Sequence, residues 1–92
     1  MMTGVTGTPL KILYFAWVRE KTGRASEDVM VPKGVDTIAE LVTWLKSRGP
    51  EFEAAFARGD VIRAAIDQTH VKPAATITGA REVAFFPPVT GG

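Results

Sequence analysis

The most specific chemical potential in this 92-residue chain lies in its last two residues, Gly91 and Gly92. Neither has a Cβ, so the backbone there fits a slot too narrow for any other residue. The carboxylate of Gly92 is an unhindered acyl group, suited to activation as an adenylate and then to attack by a nucleophile. The usual catalytic sets are thin by comparison. There is no cysteine, which removes disulfides, thiolate zinc sites and a cysteine nucleophile together. His70 is the only histidine and has no tuning groups near it in sequence, so it reads as an exposed turn or strand residue rather than an acid–base group. One histidine without cysteine is a poor ligand set, and no metal is expected. The only serines are Ser26, on a strand, and Ser47, at a helix end. Glu51 and Glu53 read as charges at a helix N-terminus, and no phosphate-cradling GxxxxGK[ST] spacing occurs.

The residues before the Gly-Gly suit delivery of that carboxylate. Pro87 and Pro88 favour an extended, polyproline-like path and lower the entropy lost when a tail is threaded. Fully extended, the stretch from Pro87 to Gly92 reaches roughly 20 Å at ~3.3–3.6 Å per residue, enough to enter a partner's active site. On the strand before it, Val83 and Phe85 share one face and Ala84 and Phe86 the other. The bulkier pair is expected in the core, leaving Phe86, Pro87 and Val89 as an apolar strip for a partner surface. A terminal Gly-Gly alone arises by chance in roughly 1 chain in 200 at average glycine usage, so the strip matters to the reading.

Elements able to position such a tail are legible upstream. Residues 10–18, "LKILYFAWV", read as a strand, with a helical turn over 17–22 as the alternative for their end. After a turn at Gly23, "SEDVMVP" reads as a second strand stopped by Pro32 and Gly34, and the short spacing suggests a hairpin. Thr37 and Glu40 form a capping box for a helix whose apolar stripe is Ile38, Leu41, Val42 and Leu45. Lys46 and Arg48 suit the negative end of its dipole, and Gly49-Pro50 ends it. Pro50 also opens a short second helix. "VIRAAID" and "REVAFF" are further strands, with a short one near residues 69–71 between them. One long amphipathic helix laid on a mixed sheet makes an α+β two-layer domain. The expected division is a loose lead over residues 1–9, a single domain over 10–86 and an extended tail over 87–92.

Composition narrows the partners. A formal net charge of +1 gives no basic footprint, so nucleic acid is not an expected partner. The opening "MMTGVTGTP" has neither a basic n-region nor an apolar h-region. No run approaches the ~20 apolar residues of a membrane span, so a soluble cytoplasmic protein is expected.

Several segments together resemble one family. "LKILYFAWVREKTG", "TIAELVTWLKSRG", "AAIDQTHV" and above all "EVAFFPPVTGG" are similar to the small subunit of molybdopterin synthase, a ubiquitin-like sulfur carrier. The resemblance runs from Leu10 nearly to the end. It implies a β-grasp fold and a role in molybdenum cofactor biosynthesis. It implies that an ATP-dependent adenylyltransferase activates Gly92 and that a sulfur donor converts the adenylate to a thiocarboxylate. The tail, Phe86, Pro87, Pro88, Val89, Thr90 and Gly91, would then insert into the large subunit. There sulfur passes to cyclic pyranopterin monophosphate and builds the dithiolene that later binds molybdenum. The implied assembly is a heterotetramer of two small and two large subunits. No cofactor is expected on the chain itself, ATP being used by the activating enzyme, and the chain alone is not expected to be catalytic.

The residues agree with the resemblance on one point: a sulfur carrier without cysteine must hold sulfur elsewhere, and the C-terminal acyl group is the suitable place. In two places the chain departs from the family. The stretch before the last strand is Thr78-Gly79-Ala80-Arg81 where the family often has an acidic Asp-Gly-Asp turn, and the lead before Leu10 is longer. Three rivals share the features above: a β-grasp carrier for thiamine or tRNA thiolation, a ubiquitin-like protein modifier, and an interaction module whose tail only docks.

Overall fold

A computed structural model describes residues 7–88. The elements are β1 (Gly7–Tyr14), α1 (Ala16–Thr22), β2 (Ser26–Pro32), α2 (Ile38–Lys46), α3 (Pro50–Ala55), β3 (Arg63–Ile66), β4 (Thr69–Val71) and β5 (Glu82–Phe86). The strands form a single sheet in the order β2-β1-β5-β3-β4. β5 is therefore central, parallel to β1 and antiparallel to β3. With helices on one face, this is an α+β fold built on a mixed sheet, as the pattern predicts.

α2 forms as its sequence requires. The Thr37 hydroxyl accepts the Glu40 N–H at 3.2 Å, and Glu40 Oε1 accepts the Thr37 N–H at 3.1 Å. These close the capping box and satisfy donors that a helix start otherwise leaves open. Ile38, Leu41 and Leu45 of its stripe are buried in the core, and Val42 packs against them. α3 begins at Pro50, where the missing N–H costs nothing, and buries Phe52 and Ala55. The core beneath the helices is aromatic: Phe85 meets Phe56 edge-on at 5.1 Å and stacks with Tyr14 at 6.5 Å between ring centroids.

The N-terminal third corrects the sequence reading in three respects. The strand expected over residues 10–18 stops at Tyr14, and the alternative, a helical turn over 17–22, is the one that forms, as α1. Val18 and Thr22, one helical turn apart, are the buried residues of α1, and α1 packs on α3. Gly23 ends it in the left-handed region at φ 77°, where a side chain would be strained. β1 and β2 do pair antiparallel, but through this helix rather than a tight hairpin. Finally, β1 begins at Gly7, so Gly7, Thr8 and Pro9, read as lead, align with Pro32, Val31 and Met30. A β-carbon on Gly7 would lie 2.7 Å from the Val31 carbonyl oxygen, so that close approach needs glycine.

Candidate functional site

Val83 and Phe85 of β5 are buried in the core, as the alternation predicts. Phe86, Pro87 and Pro88 are half-buried at the end of the central strand. Val89, Thr90, Gly91 and Gly92 lie outside the described residues. The strand that carries the tail is held on both sides, by β1 residues 11–14 and by β3 residues 63–66. Its entry is fixed too. Asp67 Oδ1 accepts the N–H groups of both Arg81 and Glu82, at 3.0 and 2.9 Å. The turn ahead of β5, with Gly79 at φ 79°, is thus tied by a carboxylate from the β3–β4 turn rather than by local acids.

The face of the sheet away from the helices carries features that the sequence reading did not single out. Strand register puts Ser26, Leu13, Ala84, Ala65 and His70 in one row across all five strands. None of these residues belongs to the buried cluster under the helices. Ala84 and Ala65, with their small side chains, form the low middle of that row. Phe15 follows Tyr14 beyond the last β1–β5 pair, and its N–H donates to the Phe85 carbonyl at 3.0 Å. Because α1 begins at Ala16, Phe15 remains 47% exposed beside the end of β5. The Phe86 ring rests on His70 at 5.1 Å between centroids. Leu13, Phe15, Phe86 and His70 therefore border a shallow apolar trough at the root of the tail. His70 is exposed on a strand, as expected, but is packed into this trough rather than isolated. The missed signal was the pair of adjacent aromatics, Tyr14-Phe15, matching Phe85-Phe86 on the neighbouring strand.

A polar cluster sits at the opposite face, around Glu27 of β2. Glu27 accepts the Tyr14 hydroxyl at 2.6 Å and the Arg48 guanidinium through two bonds of 2.7 and 3.0 Å, with Arg24 at 3.2 Å. Both guanidiniums also lie over the Phe52 ring, Arg48 at 4.7 Å and Arg24 at 5.1 Å. Burial alone would raise the Glu27 carboxyl. Hydrogen bonds from Arg48 and Tyr14, with both arginine charges, outweigh it and hold the group below the usual carboxylate range. Burial first, then the bond to Glu27, pushes the Tyr14 phenol well above its ordinary value. Every member has a partner, so the cluster reads as a brace and not as a reacting centre. Among the described residues no three His, Cys, Asp or Glu side chains converge as a metal would need. Among the described residues no helix is long and apolar enough to cross a membrane.

Comparison with known proteins agrees with this geometry. The chain is 36% identical over 83 residues to the molybdopterin synthase sulfur carrier subunit of Escherichia coli K12, covering 90% of this chain and 99% of that one. It is 35% identical to the protein of the same name from Mycosarcoma maydis, covering 94% and 97%. Among solved structures it resembles SAMP1 of Haloferax volcanii, with a TM-score of 0.70, 25% identity and coverage of 91% and 99%. The putative molybdopterin converting factor subunit 1 of Pyrococcus furiosus, at 22% identity and a TM-score of 0.67, shares the fold. These ubiquitin-like neighbours confirm the β-grasp architecture. The ThiS family model matches residues 12–92, and the chain belongs to the ThiS family.

Proposed function

We propose that this chain is the sulfur-carrier subunit of a molybdopterin synthase, with Gly92 as the group that carries sulfur. The observation that supports it most is the placement of Phe86-Pro87-Pro88. They leave the central strand of a rigid sheet, beside an apolar trough, and lead directly to a side-chain-free carboxylate. In this reading an ATP-dependent adenylyltransferase joins the Gly92 carboxylate to AMP and releases pyrophosphate. A sulfur donor then displaces AMP and leaves a thiocarboxylate. The trough, bordered by Phe15, Phe86 and His70, seats the large subunit. Pro87, Pro88, Val89, Thr90 and Gly91 thread the terminus to cyclic pyranopterin monophosphate. The chain supplies sulfur and position, and the large subunit supplies the pocket and the proton transfers. The assembly is two small and two large subunits, working in the cytoplasm.

Intact mass spectrometry tests the carrier step. After incubation with ATP, an adenylyltransferase and a sulfur donor, one oxygen should be replaced by sulfur at Gly92. Because the chain has no cysteine, prompt thiol alkylation can then report only the thiocarboxylate. A variant with one residue appended after Gly92 should keep the fold and lose transfer completely. Retained transfer in that variant would reduce the tail to a docking element. Conjugates on lysines of other proteins, resolved on a denaturing gel, would favour the modifier reading instead.

A further inference from the structure

The floor of the trough at the tail root is apolar up to His70, with Arg63 at its edge opposite Phe86. Leu13, Phe15, Ala65, Ala84 and Phe86 offer no titratable group, whereas His70 does and lies in ring contact with Phe86. We propose that His70 sets the strength of large-subunit docking through its charge: the neutral ring seats in an apolar contact, and the imidazolium opposes it. This rests on the reading of the trough as the docking face. The occupant is fixed by continuity with the tail. Phe86 is at once a wall of the trough and the last residue of β5, so the protein that takes in the terminus must close over this face.

The physical reason is desolvation. Covering an exposed neutral imidazole with apolar surface costs little, because much of its perimeter is carbon. Covering an unpaired cation costs far more, and the group releases its proton or stays in water. The charged groups nearest His70 on this side are few. Arg63 of β3 stands opposite Phe86 in register, and Lys72 follows β4. Glu82 of β5 is aligned with Lys11, and Asp67 in the β3–β4 turn is committed to the Arg81 and Glu82 N–H groups. The ion pairs among the described residues are Arg24–Glu27, Arg24–Glu51 and Arg48–Glu27, and none includes His70. Among the described residues, therefore, no carboxylate is paired with the ring that would carry an imidazolium into an interface.

Calorimetric titration of the full chain into the large subunit, at about pH 7.5 and about pH 5.5, tests the proposal. Folding at both values is checked by circular dichroism. Displacing one proton on docking changes Kd by up to about tenfold per pH unit. The ratio of wild-type Kd to that of His70→Leu should therefore rise roughly tenfold or more in acid. Taking the ratio cancels titration of the large subunit itself. His70→Gln, neutral and polar, should behave as His70→Leu does in its pH dependence. A ratio independent of pH, or wild-type binding that tightens in acid relative to the variants, overturns the role of His70. Phe15→Ala separates the two levels of the reading. If it weakens docking while the ratio stays flat, only the histidine is wrong. If it leaves Kd unchanged at both values, the docking face is wrong and the proposal falls with it.

Discussion

Tyr14-Phe15 and Phe85-Phe86 are adjacent aromatic pairs on neighbouring strands, and each pair is divided between the two faces of the sheet. Tyr14 and Phe85 are about 1% exposed and stack within the core, whereas Phe15 is 47% exposed and Phe86 half-buried. The difference is not one of composition, since four aromatic residues of similar size are involved. It comes from alternation along the strand and from what lies over each face. On one side three helices and a fully paired Glu27 cluster close over the rings. On the other side Leu13, two small alanines, His70 and, opposite Phe86, Arg63 lie beside them. Buried rings make the fold, and exposed rings are available to a partner.

The comparison can be broken most sharply at Phe85. Phe85→Ala removes a ring that touches both Tyr14 and Phe56, and should destabilise the fold by about 3–5 kcal/mol in urea unfolding. Glu27→Gln should cost about 1–3 kcal/mol, toward the lower end because both arginines keep contact with water. It should also alter the acid response. Glu27 is held below its ordinary value of 4.5, so its contribution is fully present above that pH and fades as pH falls through the folded-state value. Thermal scans from neutral to acid pH should show a smaller decline in Glu27→Gln than in wild type. At the alkaline end the raised Tyr14 phenol acts with the opposite sign, and stability should fall as pH rises past 10, the ordinary phenol value. Tyr14→Phe should remove that arm for about 1 kcal/mol. Phe15→Ala sits at the other extreme. Its unfolding free energy should change by no more than about 0.5 kcal/mol, while affinity for the large subunit falls on the order of tenfold. If Phe15→Ala unfolded the protein as readily as Phe85→Ala, the division between the two faces would be lost.

Legibility in the sequence followed the range of the interactions involved. α2 announced itself because its cap, stripe and stop are all local, and β5 because strand alternation is local too. α1 did not. "FAWV" has the aromatic and β-branched content of a strand, and the helix is decided by Val18 and Thr22 packing beneath α3. The exposure of Phe15 was hidden for the same reason, since it depends on the chain turning at Ala16. Glu27 and Arg48 are 21 positions apart, so no spacing rule could pair them. The β3–β4 turn lacks the usual Asn-Gly or Asp-Gly signal and is made by Asp67 and Gln68 at φ 46° and 75°. The tail motif was read from its chemistry, while its root was completed by side chains from β1 and β4 that only the folded sheet brings together.

The position of β5 has a consequence for how the molecule comes into being. β1–β2 and β3–β4 are each contiguous antiparallel pairs, yet nothing joins them edge to edge except the strand that arrives last. Until residues 82–86 are available, the chain holds two separate ribbons, and ribbons of this size are marginal in water. Closure links residues about 70 positions apart in sequence, a slow step in folding terms. A chain cut short before β5 is thus left without a joined sheet and with Phe15 and His70 on separate pieces. A copy truncated before β5 would therefore lose the exposed face together with the tail, because the strand that leads to the C-terminus is also the one that joins the two ribbons.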